Sequence, residues 1–348
     1  MKFVDISGYG HSGKGVITDL LKEINGFNVP EYNFEFNLLR IQGGLIDLKF
    51  ALVDNWSPIR SDAAIRKFNK LIKQIGPQAS ALSPKTLFTS NGMNYDKIFN
   101  GQFTKLSSNY LTSLIDFQFE GEWPYQLLDE PGLKQFAQRL QSKLKIKTHH
   151  TSIVNVTSIK ESEFLLLTKN YLNDLFLAIK NEFDDVMVTH NAIEPFNPLE
   201  GLKLFNKGKS IIVQRDPRDI YASTFTQLSA FIPKYETKYM WELKKNMLGI
   251  NDINQFCHRQ LIYYNQTNLF HDSNILRLRF EEIILDYQNV LNKIYKFLDI
   301  DKSIHVEKGK YFNPEYSKKN IGIWKNLPDQ KAISKIEEQL KPYCFYEY

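Results

Sequence analysis

The sequence predicts an α/β fold of three layers, a central parallel sheet flanked by helices with a mostly helical insertion. Three observations carry this. The chain opens on a short apolar run, KFVDIS (2–7), that leads into a glycine-rich turn and then a helix-spaced segment. Apolar runs of strand length return late, as DDVMVTHN (184–191), KSIIVQRDP (209–217) and SNILRLRFEEI (273–283). Helical spacing follows them, and strands alternating with helices favour parallel pairing through right-handed crossovers.

The elements follow in order. After the first strand, GYGHSGKG (8–15) fits the phosphate-loop pattern G-x-x-x-x-G-K from Gly8 to Lys14. VITDLLKEI then places Val16, Ile17, Leu20, Leu21 and Ile24 on one helical face, and Gly26 ends it. Strand, glycine turn and helix are the setting such a loop needs, so the fold is P-loop-like. From 36 to 183 the spacing is mostly helical. Ile65, Phe68, Leu71, Ile72 and Ile75 share a face that stops at Gly76-Pro77. Leu133, Phe136, Leu140 and Leu144 share another, and 162–183 reads as a long apolar-rich helix. Residues 77–130, rich in Ser, Asn, Gly and aromatics, read as a loop-rich insertion or lid. Beyond the late strands, RDIYASTFTQL, LDYQNVLNKIYKFLDI and DQKAISKIEEQL are helices. The expected organisation is one domain over 1–348, with 36–183 inserted as the acceptor-binding region.

Composition narrows the classes. Hydrophobic residues are 43% of 348, enough for a sizeable core. The net charge of +5 suits an anionic ligand better than a nucleic acid, which would want a dense basic stripe. Two cysteines, Cys257 and Cys344, form neither a metal spacing nor a disulfide framework, so a reducing compartment is the default. The start carries no signal-type segment and no run is long enough to span a membrane. The expectation is a cytoplasmic protein without a transmembrane segment, with room left for a peripheral membrane contact.

The chemistry lies in the turns. Backbone N–H groups of a glycine turn at a helix start bind phosphate or sulfate. Lys14 can reach terminal oxygens and Ser12 can add a hydrogen bond. Gly15 stands where a nucleotide triphosphatase has its magnesium hydroxyl, and the apolar strands end in His190 and Arg215 rather than Asp, so no metal is expected. In IIVQRDPRDIYAS a strand runs straight into Arg215, Pro217 opens a helix, and Ser223 lies two turns in. Arg215 stands at the sheet edge where open α/β folds bind ligands and matches a phosphate bidentately. Asp216 and Asp219 read as ion-pair or capping residues. His190 ends its strand on the same edge. His149, His150, His258, His271 and His305 lack such context and read as structural, and Trp56, Phe117, Phe119, Trp123 and Tyr125 read chiefly as core.

These residues resemble the sulfotransferases that use 3′-phosphoadenosine-5′-phosphosulfate (PAPS). Arg215-Asp216-Pro217-Arg218-Asp219-Ile-Tyr-Ala-Ser223 matches the family's 3′-phosphate element R-[DN]-P-[RK]-D-x-x-x-S throughout. The family's first element reads [KR]-[ST]-G-[TS]-[TS], of which His11-Ser12-Gly13-Lys14-Gly15 keeps Ser-Gly. VTHNAIEPFNPLEG is similar to the family's strand ending in Thr-His, ILRLRFEEI to its V-[RY]-[YF]-E-D-L unit, and SKKNIGIWKN to its C-terminal R-K-G-x-x-G-x-W-K loop. The resemblance covers about 2–25 and 184–326. It implies a sulfotransferase moving a sulfuryl group from PAPS, leaving adenosine 3′,5′-bisphosphate, to a hydroxyl of a carbohydrate or glycolipid, as in polysaccharide biosynthesis. It implies His190 as general base, with His11 or Lys14 as catalytic cation. Gly10, His11, Ser12, Gly13, Lys14, Gly15 and Val16 would take the 5′-phosphosulfate. Arg215, Ser223, Lys318, Lys319 and Asn320 would take the 3′-phosphate and adenosine, with Gly322, Trp324 and Lys325 nearby. Two other readings stay open, a small-molecule kinase using magnesium-ATP and a non-catalytic nucleotide-binding protein.

Overall fold

The computed structural model describes residues 1–30, 34–77, 93–121, 132–144, 152–226 and 252–346. The chain divides into two compact units, 1–37 with 181–348, and 38–180.

The first unit holds five parallel strands in the order β2-β5-β1-β6-β7: β1 (Lys2–Ser7), β2 (Phe27–Asn28), β5 (Val186–His190), β6 (Gly208–Gln214) and β7 (Ile275–Arg279). β1 is central and buried from Phe3 to Ser7, as its near-continuous apolar run implies. Its side chains alternate between faces. Val4 and Ile6 enter a core with Ile17 and Leu20 of α1 (Gly15–Leu21) and Val290, Leu291 and Ile294 of α12 (Tyr287–Leu298). Phe3, on the opposite face, meets Phe205 at 4.8 Å between ring centroids. A second cluster joins Ile220 and Tyr221 of α9 (Pro217–Thr226) to Phe256 and Tyr264 of α10 (Ile253–Asn268) and Ile333 and Ile336 of α14 (Gln330–Leu340). The fold is therefore α/β, a parallel sheet flanked by helices.

Two details differ from the sequence reading. β2 was not expected, being only two residues long. SNILRLRFEEI is not all strand: β7 stops at Arg279, and Phe280–Leu285 forms a short helix, α11.

Among its described residues the second unit is helical with one antiparallel pair of strands. α2 (Leu45–Lys49) runs into a π-helical turn at Phe50–Asp54, and α3 (Pro58–Ile75) opens with Ser57 Oγ accepting from Arg60 N at 3.2 Å. α3 buries Ile65, Phe68 and Ile72, as their spacing predicts. Within the stretch read as a loop or lid stand α4 (Tyr95–Ile98), α5 (Phe103–Ser113) and strand β3 (Phe117–Gly121). β3 pairs antiparallel with β4 (Ser152–Val156). Residues 78–92 and 122–130 of that stretch lie outside the described residues. α6 (Gly132–Lys143) and α7 (Glu161–Leu177) complete the unit. Tyr110 of α5 stacks on Tyr171 of α7 at 4.5 Å, and its hydroxyl shares a hydrogen bond of 2.7 Å with Thr168. Asp62 of α3, fully buried, accepts from both nitrogens of Asn155 at 2.9 Å and so fixes β4. Trp56, Phe117 and Phe119, expected in the core, are exposed; Trp123 and Tyr125 lie outside the described residues.

Candidate active site

Strand order assembles the site. β1 lies between β5 and β6, with Ile6 opposite His190 and Ser7 opposite Ile212. The glycine turn, His190 and the β6 end carrying Arg215 thus leave the sheet side by side at its C-terminal edge.

The first turn is shaped by close packing. A Cβ on Gly8 would lie 2.6 Å from Ser12 Oγ and 2.8 Å from the Val213 carbonyl. His11 and Gly13 adopt left-handed conformations, φ 64° and 79°. At Gly13 a Cβ would sit 2.4 Å from the Phe280 ring, so glycine is required twice over. The Ser12 N–H donates to the Tyr9 carbonyl at 3.2 Å, while its buried Oγ has no hydrogen-bond partner. Val16 and Ile17 donate back to the carbonyls of Gly13 and Lys14, which starts α1. Nothing crowds the Cβ position of Gly10.

Beside the turn, one carboxylate ties three groups together. Glu35 Oε1 accepts from Asn191 Nδ2 at 2.6 Å and lies 3.7 Å from His190 Nδ1 and 4.0 Å from Lys14 Nζ. The segment that carries it is held by the Phe36 N–H, which donates to the His190 carbonyl at 3.3 Å. Asp5, buried within β1, fixes the turn after β5: its carboxylate accepts from Thr189 Oγ1 and Ala192 N at 2.8 Å and from Ile193 N at 3.2 Å. Asn191 takes φ 51° there. Lys14 is thereby joined through Glu35 to His190, and the His11 carbonyl accepts from Arg215 Nη1 at 3.1 Å.

The second turn is held by charge. Asp216 and Arg218 form a buried pair, with Arg218 Nη2 donating to Asp216 Oδ2 at 2.7 Å. Asp216 also accepts from Phe345 N at 2.7 Å, and Arg218 donates to the Phe345 carbonyl at 2.8 Å. The Arg218 guanidinium lies over the rings of Trp324 and Tyr346, 4.4 and 4.9 Å from their centroids. Asp219 accepts from the N–H groups of Gly322 and Trp324 at 2.8 and 3.3 Å. These are the ion-pair and capping roles expected of Asp216 and Asp219. Burial pushes the Asp219 carboxyl up, against the Gly322 N–H and Arg215. Buried Glu281 is pushed up likewise; its carboxylate accepts from Asp216 N at 2.7 Å.

Arg215 joins both turns to the C-terminal segment. Its guanidinium donates to the carbonyls of His11 and Asn320, the latter at 2.5 Å, and lies 4.9 Å from the Phe280 ring centroid. Burial lowers its pKa, while Asp219, Glu281 and Asp216 oppose the shift. Its Nε is buried without a hydrogen-bond partner, and Tyr264 OH donates to its carbonyl. Ser223, fully buried, donates to the Ile220 carbonyl within its own helix at 2.9 Å. Lys318 is exposed and pairs with Glu315 at 2.7 Å, and Lys319 is exposed.

The sheet edge therefore brings the first turn, Lys14, His190, Arg215 and Asn320 together. It adds Glu35 and Asp5, which the sequence did not reveal. Two buried donors on adjacent strand ends, Ser12 Oγ and Arg215 Nε, are without partners. Both fit an anion, since a buried donor left unpaired is unfavourable until something accepts from it.

Fold and site together define an α/β protein whose sheet edge carries two buried donors without hydrogen-bond partners. Residues 130–338, more than half of the chain, match the sulfotransferase domain family. The chain belongs to that family and is an enzyme of the sulfotransferase type. The matched span includes His190, the second turn and the 318–326 segment; the first turn lies before it. No curated protein matches. Among solved structures, the chain is similar to the sulfotransferase domain of the Synechococcus PCC 7002 olefin synthase, at 14% identity over 100% of this chain and 95% of that one, with a TM-score of 0.37. It is similar to sulfotransferase STF9 from Mycobacterium avium, at 13% over 98% and 75%, TM-score 0.36. It is also similar to a retinol dehydratase in complex with androsterone and the inactive cofactor PAP, at 14% over 100% and 83%, TM-score 0.36. No helix among the described residues is long and apolar enough to cross a membrane.

Proposed function

We propose that this enzyme uses PAPS to sulfate a hydroxyl of a carbohydrate or glycolipid in the cytoplasm. One observation carries the donor: the two turns sit on neighbouring strand ends, each with a buried donor lacking a partner. An unpaired donor in each turn suits a ligand that carries more than one anionic group. The bound donor supplies an activated sulfuryl group whose transfer is loose and in-line, by analogy with phosphoryl transfer. The protein then supplies position and charge. Gly10, His11, Ser12, Gly13, Lys14, Gly15 and Val16 cradle the phosphosulfate, with Lys14, 4.0 Å from the Glu35 carboxylate that also neighbours His190, as the cation. Arg215 holds the 3′-phosphate. Ser223 joins it by rotating its hydroxyl away from the Ile220 carbonyl, and Lys318, Lys319 and Asn320 complete that end.

His190 takes the acceptor's proton. Glu35, 3.7 Å from its Nδ1, stabilises the imidazolium that forms. In the same reading the 38–180 unit binds the acceptor. Its exposed aromatics, Trp56, Phe117 and Phe119, support a sugar, since a flat apolar ring face stacks on a sugar ring. Cys257 and Cys344 are free thiols, in keeping with a reducing compartment.

Calorimetric titration tests the donor. Adenosine 3′,5′-bisphosphate should bind in EDTA, and Arg215→Ala should abolish the signal. Binding of magnesium-ATP with indifference to the bisphosphate would favour a kinase and overturn the reading. For catalysis, His190→Ala should lower kcat about 10²–10⁴-fold against a glycan panel while leaving bisphosphate affinity intact. A normal rate removes His190 from the chemistry.

A further inference from the structure

In the 38–180 unit, two amphipathic helices have opposite fates. α3 buries its stripe: Ile65, Phe68 and Ile72 are at most 2% exposed. α6 carries a comparable stripe, Leu133, Phe136, Leu140 and Leu144, spaced to share one helical face. The Leu144 N–H donates to the Leu140 carbonyl at 2.9 Å, which keeps the fourth residue in line. These side chains are 86%, 64%, 47% and 62% exposed. A contiguous apolar strip of this kind marks an interaction surface.

Charge identifies the occupant. α6 itself holds Lys134, Arg139 and Lys143 and no Asp or Glu; in the sequence Lys145 and Lys147 follow it and Asp129 and Glu130 precede it. We propose that α6 lies on an anionic lipid surface, with its Leu and Phe side chains in the headgroup–acyl boundary and its cations among the headgroups. An acidic polysaccharide could meet the cations but offers nothing apolar to the stripe. A protein groove would have to match the stripe in shape and the cations in register, whereas mobile lipid headgroups follow them without fixed register. The contact is peripheral, since none of the described helices can span a bilayer. It stands independently of the donor and acceptor assignments.

Co-sedimentation of the full chain with vesicles tests it. Phosphatidylcholine vesicles containing phosphatidylglycerol should bind the protein, pure phosphatidylcholine should not, and added salt should weaken the binding. Replacing Phe136 and Leu140 together by Asp should reduce partitioning at least about tenfold. Lys143→Glu should weaken it about tenfold, because it reverses one charge at the surface. Both variants should keep the wild-type circular dichroism, as the altered side chains are exposed. If the double variant does not fold, Lys143→Glu and the salt titration still decide. Absence of binding to anionic vesicles at low salt overturns the inference. So does binding that the double variant leaves unchanged, or a wild-type dimer that the same substitutions split without any vesicle binding.

Discussion

The turns after β1 and β6 face one sheet edge, yet they are held by opposite means. The first is shaped by missing side chains: Gly8 and Gly13 let the backbone press against Val213 and Phe280. The second is shaped by charge, through the buried Asp216–Arg218 pair and the Asp219 carboxylate on Gly322 and Trp324. The difference explains why one turn matches its sequence pattern throughout and the other departs from it. A charged network needs its particular residues. A packed turn needs only room, and its neighbours, which come from distant elements, decide what fits.

The largest effect should come from the charged turn. Asp216→Ala leaves the Arg218 guanidinium, 3% exposed, with only the more distant Glu337 carboxylate at 3.5 Å, and frees the Phe345 N–H. Losing one member of a buried pair costs about 3–5 kcal/mol. Urea unfolding should show this as a lower midpoint at unchanged slope. Asp216→Asn, which keeps an acceptor, should lose less. If both variants unfold like wild type, the charged turn is not what holds this end together.

The packed turn should fail differently. Gly13→Ala places a methyl 2.4 Å from the Phe280 ring at φ 79°. Overpacking and left-handed strain together cost about 2–5 kcal/mol. Because the clash is steric, Phe280→Leu in the same chain should recover part of the loss. The double-mutant cycle in thermal melts measures that coupling, and simple additivity would place the cause in the backbone alone.

That contrast also sorts what was legible in the sequence. Arg215, Asp216, Arg218, Asp219 and Ser223 could be read because their pattern is local. So could His190, at the end of an apolar run, and the helices whose apolar residues recur at helical spacing, α3, α6 and α7. Glu35 could not. It reaches His190 because the neighbouring Phe36 N–H donates to the carbonyl at the end of β5, a long-range contact that no local pattern announces. Asp5 was hidden similarly, since its partners lie on and after β5. In the insertion, α5 was masked by Ser, Thr and Asn, which favour turns over helix interiors. The alternation Phe117-Gln118-Phe119-Glu120 was a strand signal available in principle but lost in an aromatic-rich stretch. What no periodicity could say is that α6 would keep its apolar face in water.

A smaller effect probes where the two constructions meet. Glu23, just past the end of α1, is buried. Its carboxylate accepts from Phe312 N at 2.7 Å, Tyr311 N at 2.8 Å and Gly309 N at 3.1 Å, and pairs with His305 Nε2 at 2.9 Å. It thus anchors the segment that continues to Asn320 and Gly322 at the second turn. Burial pushes the carboxyl up, but the Phe312 N–H, His305, and the Tyr311 and Gly309 N–H groups outweigh it and hold the pKa below its ordinary 4.5. A carboxyl lowered on folding binds fewer protons in the native state, so its stabilisation is complete above 4.5 and is lost as pH falls through the lowered value. Glu23→Gln should therefore cost about 1–3 kcal/mol at neutral pH. In acid the wild-type and variant stabilities should converge, because only the wild type still loses a charge there. Urea midpoints taken from neutral pH to below 4.5 read this directly, and parallel curves would mean that the charge on Glu23 does not hold the segment.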